Sequence, residues 1–364
     1  MGMTLGIVGL PNVGKSTLFN ALSAAGAESA NYPFCTIEPN VGIVTVPDAR
    51  LDALAEIVNP QQVLPTTVEF VDIAGLVRGA SKGEGLGNQF LGNIRATDAV
   101  VHVVRCFEDE NIVHVEGSID PIRDVEVVET ELLLKDIETI EKRAEKSRKL
   151  ARSGDKTIKL EAEVLTRLEG WLSDGKPART FEHSDAEVET FDALFLLTAK
   201  PVLYVANVDE ESVVDGNAMV ERLREYAAGV GAGAVIISAA IESEIAELEE
   251  EEKLEFLEGL GLKESGLDRL SREGYALLGL KTYFTAGEKE VRAWTIRDGM
   301  SAPQAAGVIH TDFERGFIRA EVIAYDDYVS LRGEAGAKSA GKLKVEGKDY
   351  IVQDGDVMHF RFNV

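Results

Sequence analysis

Two cysteines, Cys35 and Cys106, are all that the chain contains, which excludes a disulfide framework and a cysteine-built zinc site. No apolar run approaches the ~20 residues that a membrane-spanning helix needs. The N-terminus runs from Met3 straight into an apolar strand, without the layout of a signal peptide. Only Gly2 fits a myristoylation signal, because Gly6 stands where serine or threonine is required. A cytoplasmic protein with no membrane partner is expected. Basic residues are also scarce: 38 lysines and arginines against 63 aspartates and glutamates leave a net charge of −25. Such a surface repels phosphate overall and argues against DNA or other non-specific nucleic-acid binding. His102, His114, His183, His310 and His359 are scattered without metal-ligand spacing, so structural roles are expected for them. His114 is the exception to watch, since it lies in a polar loop after an apolar strand.

What is present is a long chain, 364 residues with 45% hydrophobic content, enough for two or three domains, each with its own core. Apolar, β-branched runs near 3–8, 42–46, 67–72, 99–105, 201–206 and 234–238 alternate with helical segments. Several are continuous, such as Ala99 to Val104, as expected of strands buried on both faces of a parallel sheet. From about 124 to 173 the strand signal stops. Leu133, Ile137, Ile140 and Ala144, then Leu160, Val164, Leu168 and Trp171, recur at helical spacing around Ser153-Gly154-Asp155. That pattern predicts an antiparallel helical hairpin. Its tip is basic: Lys142, Arg143, Lys146, Arg148, Lys149, Arg152, Lys156 and Lys159 face only Glu145 and Asp155, a local charge of +6. After residue 281 short strands near 283–285, 291–295, 320–323 and 359–362, with one helix at 302–309, predict a small α+β module. The expected division is therefore an α/β domain over 1–123 and 196–280, a helical insertion over 124–195, and a C-terminal domain over 281–364.

Residues 9–16, Gly-Leu-Pro-Asn-Val-Gly-Lys-Ser, follow an apolar strand and precede a helical segment. This G-x-x-x-x-G-K-S pattern makes a phosphate-binding loop, whose inward N–H groups and helix N-terminus bind anionic phosphate. Asn12, Val13, Gly14, Lys15, Ser16 and Thr17 are the expected nucleotide contacts. Lys15 would reach the β- and γ-phosphates, and the Ser16 hydroxyl would ligate Mg²⁺. Asp72 closes the third of the apolar strands as a second Mg²⁺ group, acting through water, and the Gly75 N–H would sense the γ-phosphate. Thr36, in a loop between them, is the candidate switch threonine completing the Mg²⁺ shell. Lys15, Thr36 and Gly75 are thus the expected catalytic groups.

The base end is unusual. GTPases place N-K-x-D after the corresponding strand, and the aspartate reads guanine; here the run is Asn207-Val208-Asp209-Glu210. Glu210 is too long for the bidentate contact, and Asp209 is one residue out of register. Adenine needs no such carboxylate, so Asn207 and backbone groups at Val208, with Ser238 in the next loop, are expected to favour ATP over GTP. Leu76 stands where many GTPases carry a water-orienting glutamine, which predicts slow intrinsic hydrolysis. The glycine-rich run from Gly79 to Gly87 is suited to ordering on triphosphate. Asn12 could ligate K⁺ beside the phosphates, supplying charge without an arginine finger.

These residues, together with Phe34 to Asn40, Asp72 to Gly87 and His114-Val115-Glu116-Gly117, resemble the Obg-like ATPases, the YchF group of P-loop proteins, over nearly the whole chain. The resemblance implies a P-loop G-type domain, a coiled-coil insertion and a C-terminal TGS domain of ubiquitin-like β-grasp fold. It also implies Mg²⁺-dependent ATP hydrolysis and association with the ribosome, chiefly its large subunit. The hairpin tip and the TGS domain become candidate rRNA contacts. A GTPase with an atypical base pocket, and a nucleotide-gated protein-binding module with negligible turnover, are the competing readings.

Overall fold

The computed structural model describes residues 3–29, 40–73, 75, 79, 86–151 and 155–363. These fall into two compact units. The first takes the described residues within Met1–Glu28, Thr36–Ile43 and Glu69–Leu270; the second takes those within Ser29–Cys35, Val44–Val68 and Ser271–Val364.

A mostly parallel sheet organises the first unit. Its strands are β1 (Thr4–Val8), β2 (Val41–Thr45), β4 (Thr67–Asp72), β5 (Ala99–Arg105), β6 (Val202–Asn207) and β7 (Gly233–Ile237), in the order β2-β4-β1-β5-β6-β7. β1 pairs in parallel with both β4 and β5, and β5, β6 and β7 continue in parallel. β2 runs antiparallel to its neighbour β4 at one edge, where Asn40 O accepts from Asp72 N and Thr66 O from Val46 N. Every residue of β5 and β6 is buried, which is why their sequences run apolar without alternation. The chain leaves β1 through α1 (Lys15–Ser29) and fills the sheet on either side of β1. The carboxyl end of β1 is thus the topological switch point where α/β sheets bind ligands.

The helical hairpin is α4 (Pro121–Leu150) and α5 (Lys156–Ser173). Asp120 caps α4 ahead of a first-turn proline, and Asp155 caps α5 by accepting from Thr157 N at 2.8 Å. Ile140, Ala144, Val164 and Leu168 are fully buried, with Leu133, Ile137, Leu160 and Trp171 packed around them. Phe181, Phe191, Leu194 and Leu196 from the returning chain close this core. The helix α4 is also fastened by a carboxylate. Asp136, fully buried, accepts from Leu197 N (2.8 Å), Thr198 N (2.7 Å) and Thr198 Oγ1 (2.7 Å), just before β6. Burial pushes its carboxyl up, while these three donors stabilise the charge. Asp136→Ala leaves those donors unpaired and is expected to destabilise the protein by about 3–5 kcal/mol, read as a lower urea midpoint.

The second unit holds the sheet β11-β10-β12-β8-β9-β3. Its members are β3 (Gln62–Leu64), β8 (Leu280–Ala286), β9 (Glu290–Arg297), β10 (Phe317–Ala324), β11 (Lys344–Glu346) and β12 (Asp356–Phe362). β8/β9 and β10/β12 are antiparallel pairs, and β12 lies parallel to β8. The helix α6 (Ala302–Ile309), opened by a Ser301/Gln304 capping box, buries Ala302, Ala305 and Ala306 against Tyr283, Ile296 and Phe360. Residues 44–68, read from sequence as part of the α/β domain, group with this unit instead. Their helix α2 (Ala49–Val58) buries Leu51 and Leu54 against Phe284, Val291 and Val357. β3 then adds to the sheet in parallel with β9. β3 and β11, three residues each, are too short to leave an alternation pattern.

Candidate functional site

The phosphate loop joins β1 to α1. Gly9 has φ 151°, and a Cβ there would sit 2.4 Å from Val103 O of β5. Gly14 has φ 97°, and its Cβ would lie 2.2 Å from Asn207 Nδ2. Both positions require glycine, for backbone conformation and for space. The Lys15 side chain is buried, and its Nζ donates to Leu10 O at 2.6 Å. Burial lowers its pKa to about 8, with Asp72 partly opposing the shift. Burial raises the Asp72 carboxyl, and Lys15 holds it back. A Cβ on Gly75 would stand 3.2 Å from Lys15 Nζ, so the residue after β4 comes up against the phosphate loop. Ser16 and Thr17 are exposed in the first turn of α1.

Asn207 ends β6, and its side chain bridges two segments of the protein. Nδ2 donates to Val13 O at 2.9 Å, and Oδ1 accepts from Ala239 N at 2.9 Å. The side chain is thus a latch between the phosphate loop and the start of the helix after β7, with one Nδ2 hydrogen left over from these two bonds. Val208 is buried with its N–H on Ile237 O, and Glu210 is exposed. Asp209 is turned onto Ser212 N at 3.0 Å. The Ser238 hydroxyl, beside Ala239, is buried with no hydrogen-bond partner among the described residues.

Asn12 takes a left-handed conformation (φ 61°) and donates from Nδ2 to Val113 O at 3.1 Å. The polar loop after β5 therefore does reach the phosphate loop. His114 itself is buried: its ring meets Asp124 Oδ2 at 2.7 Å and accepts from Glu116 N at 3.1 Å. An acceptor role for Nδ1 puts the proton on Nε2, facing the carboxylate. His102 is also buried, and burial drives it down to about 3, so it is neutral and packs on Tyr204. Thr36, Cys35, Leu76, Arg152 and most of the Gly79 to Gly87 run lie outside the described residues. Gly79, which is described, donates its N–H to Glu131 Oε1 of α4 at 2.7 Å.

Arg105, Glu131 and Asp124 were not singled out from sequence. Arg105 carried a usable signal, since a charge ending a strand that is otherwise apolar must find buried partners.

Two family profiles match the chain. One described as a 50S ribosome-binding GTPase covers residues 4–143, and the YchF-GTPase C-terminal family, described as a protein of unknown function, covers residues 280–363. The chain is 61% identical to the ribosome-binding ATPase YchF of Bacillus subtilis (strain 168) over 366 residues, with 100% of both chains covered. It is 46% identical to the Obg-like ATPase 1 of Rattus norvegicus, over 99% of this chain and 92% of that one. Among solved structures, the Schizosaccharomyces pombe YchF GTPase superposes with a TM-score of 0.90 at 42% identity, over 99% of this chain and 98% of that one. No helix among the described residues is long and apolar enough to cross a membrane. With a phosphate loop at the switch point of its mostly parallel sheet and full-length identity of this order, the chain belongs to the YchF family of P-loop nucleotide-binding proteins.

Proposed function

We propose that the chain is a Mg²⁺-dependent ATP-hydrolysing switch that works on the ribosome, at its large subunit. The observation that carries this reading is the base end of the site: Val208 is buried where a GTPase lysine would stack, and Glu210, one methylene longer, stands where the guanine-reading aspartate would be. A pocket without that carboxylate cannot satisfy the guanine N1–H and 2-amino donors, whereas adenine leaves no donor unpaired there.

At the phosphate end, Lys15 would trade Leu10 O for the β- and γ-phosphates, and the Gly75 N–H would meet the γ-phosphate. Among the described residues no three carboxylate, histidine or cysteine side chains gather as a metal cage. Ser16, Asp72 and Thr36 offer the partial oxygen shell that Mg²⁺ completes with phosphate and water. Bound there, Mg²⁺ would neutralise charge on the β- and γ-phosphates. Because the Asn12 Nδ2 is held by Val113 O, its Oδ1 is the atom left to face a K⁺ ion. ATP and GTP titrations under identical Mg²⁺, each in K⁺ and in Na⁺, test all of this. ATP is expected to bind at least tenfold more tightly and to turn over faster in K⁺. Tighter GTP binding would favour the GTPase reading, which the GTPase descriptions among the matches keep in play.

For the ribosome, the supporting feature is the hairpin. Arg143, Arg148 and Lys149 pair with Glu161, Glu169 and Glu145. Exposed pairs of this kind are worth under about 1 kcal/mol and are readily exchanged for phosphate. Lys146, Lys156 and Lys159 are exposed and make no ion pair among the described residues. Reversing Arg148, Lys149 and Arg152 to glutamate is expected to reduce co-sedimentation with ribosomes at least tenfold; normal pelleting would remove the hairpin from the interface. We also read the working parts as a nucleotide domain over 1–123 and 196–280, apart from residues 44–68, which group with the C-terminal unit, a helical arm over 124–195, and a TGS domain over 281–364 that acts as a second rRNA contact.

A further inference from the structure

Arg105 closes β5 and is among the largest fully buried side chains, 1% exposed. A buried guanidinium must be paired, yet its hydrogen bonds all go to main chain. Nε donates to Phe107 O at 3.1 Å, Nη1 to Ile112 O at 2.9 Å and Nη2 to Asp109 O at 3.1 Å. The guanidinium also lies over the Phe107 ring, 4.7 Å from its centroid. The loop is wound around one cation. Apolar burial does little to hold it, because Ile112 and Val113 are 37% and 76% exposed. An internal Asp109–Asn111 turn at 2.8 Å, the His114–Asp124 contact at 2.7 Å and the Asn217 amide on Cys106 O at 2.8 Å also anchor it.

The carbonyl that follows this wound segment is Val113 O, the acceptor for Asn12 Nδ2. Asn12 holds a left-handed φ of 61°, and the next residue, Val13, is held by Asn207. Adjacent residues of the phosphate loop are therefore fastened from the ends of two paired strands, since Arg105 and Asn207 are register partners in β5 and β6. One fastening is direct; the other passes through the loop that Arg105 shapes.

We propose that Arg105 is a positioning residue for the nucleotide site, acting through Val113 O and Asn12 to preset the phosphate loop for triphosphate. The assignment rests on the phosphate-loop reading above. A lysine carries its donors on one atom and cannot span the carbonyls of Phe107 and Ile112 as the fork does, so the role is specific to arginine.

The test is a double-mutant cycle on ATP affinity in the full chain, using wild type, R105M, N12A and R105M/N12A, with thermal melts to confirm folding. R105M is expected to weaken ATP binding roughly tenfold, and the same change in the N12A background to cost less than about threefold. R105K is expected to fall between R105M and wild type. A purely structural arginine would lower the melting temperature and leave the affinity effects additive; additivity overturns the proposal. Should R105M fail to fold, R105K replaces it in the cycle under the same criterion, and R105K binding ATP like wild type would overturn the proposal too. Failure of the wild-type chain to bind ATP would count instead against the phosphate-loop reading.

Discussion

Lys15→Ala is expected to weaken ATP binding by about a hundredfold or more and to abolish hydrolysis, because it removes the charge meant for the triphosphate from a desolvated site. In the present structure the ammonium is already buried and rests on Leu10 O at 2.6 Å, with Asp72 as its electrostatic partner. Burial has brought its pKa from the ordinary 10.5 down to about 8. Above that pH the ligand-free site is neutral at Lys15, and triphosphate must recruit a proton as it binds. Wild-type ATP affinity is therefore expected to fall by about tenfold per pH unit above pH 8, until the pKa of the complex is reached. In Lys15→Met this dependence disappears. Folding stability moves the other way. Between pH 8 and 10.5 the unfolded chain binds more protons at this lysine than the folded one, so the Lys15 contribution to stability rises with pH across that window. Affinity that falls while stability holds or rises identifies the titrating group; parallel loss of both would point to general unfolding.

Gly14→Ala should be nearly as damaging, for a different reason. The added methyl would sit 2.2 Å from Asn207 Nδ2 and 3.3 Å from its Cγ, at a backbone φ of 97°. Either the loop or the asparagine must move, and the Val13–Asn207–Ala239 latch opens. Backbone strain and two broken buried hydrogen bonds together cost about 2–4 kcal/mol. We expect ATP binding to drop about a hundredfold while the protein still folds, with a lower melting temperature. Gly92→Ala provides the contrast. It lies inside α3 (Leu86–Ala96) with open space where a Cβ would go, and should stabilise by about 0.5–1 kcal/mol without touching affinity.

The parts of the molecule visible in its sequence are those fixed by local chemistry. Gly9 to Ser16 announced itself because glycine spacing, a buried strand before it and a helix after it are all adjacent in the chain. The hairpin was legible for the same reason: Ile140, Ala144, Val164 and Leu168 mark two helical stripes and fill one core. What escaped notice depends on partners distant in sequence. Asn207 reads in sequence as a base contact alone, and only the structure shows its amide also tied to Val13, far upstream. Asp136 looks like an ordinary polar helix residue, and only the return of the chain at 197–198 shows it to be a clamp. Residues 44–68 carry no local mark of belonging with a sheet that begins more than two hundred residues later.

The Asp136 clamp also sets the mechanics of α4. Glu131, which holds the Gly79 amide, sits on one side of that fixed point, and the hairpin tip at Leu150 on the other. At about 1.5 Å per residue the short arm is roughly 7 Å and the long arm roughly 21 Å. If α4 turns as a rigid rod about Asp136, a displacement of 1 Å at Glu131 becomes about 3 Å at the tip, in the opposite direction. In such a turn the carboxylate on three donors would be the fulcrum, and a shift at Gly79 would reach the end of the arm amplified about threefold.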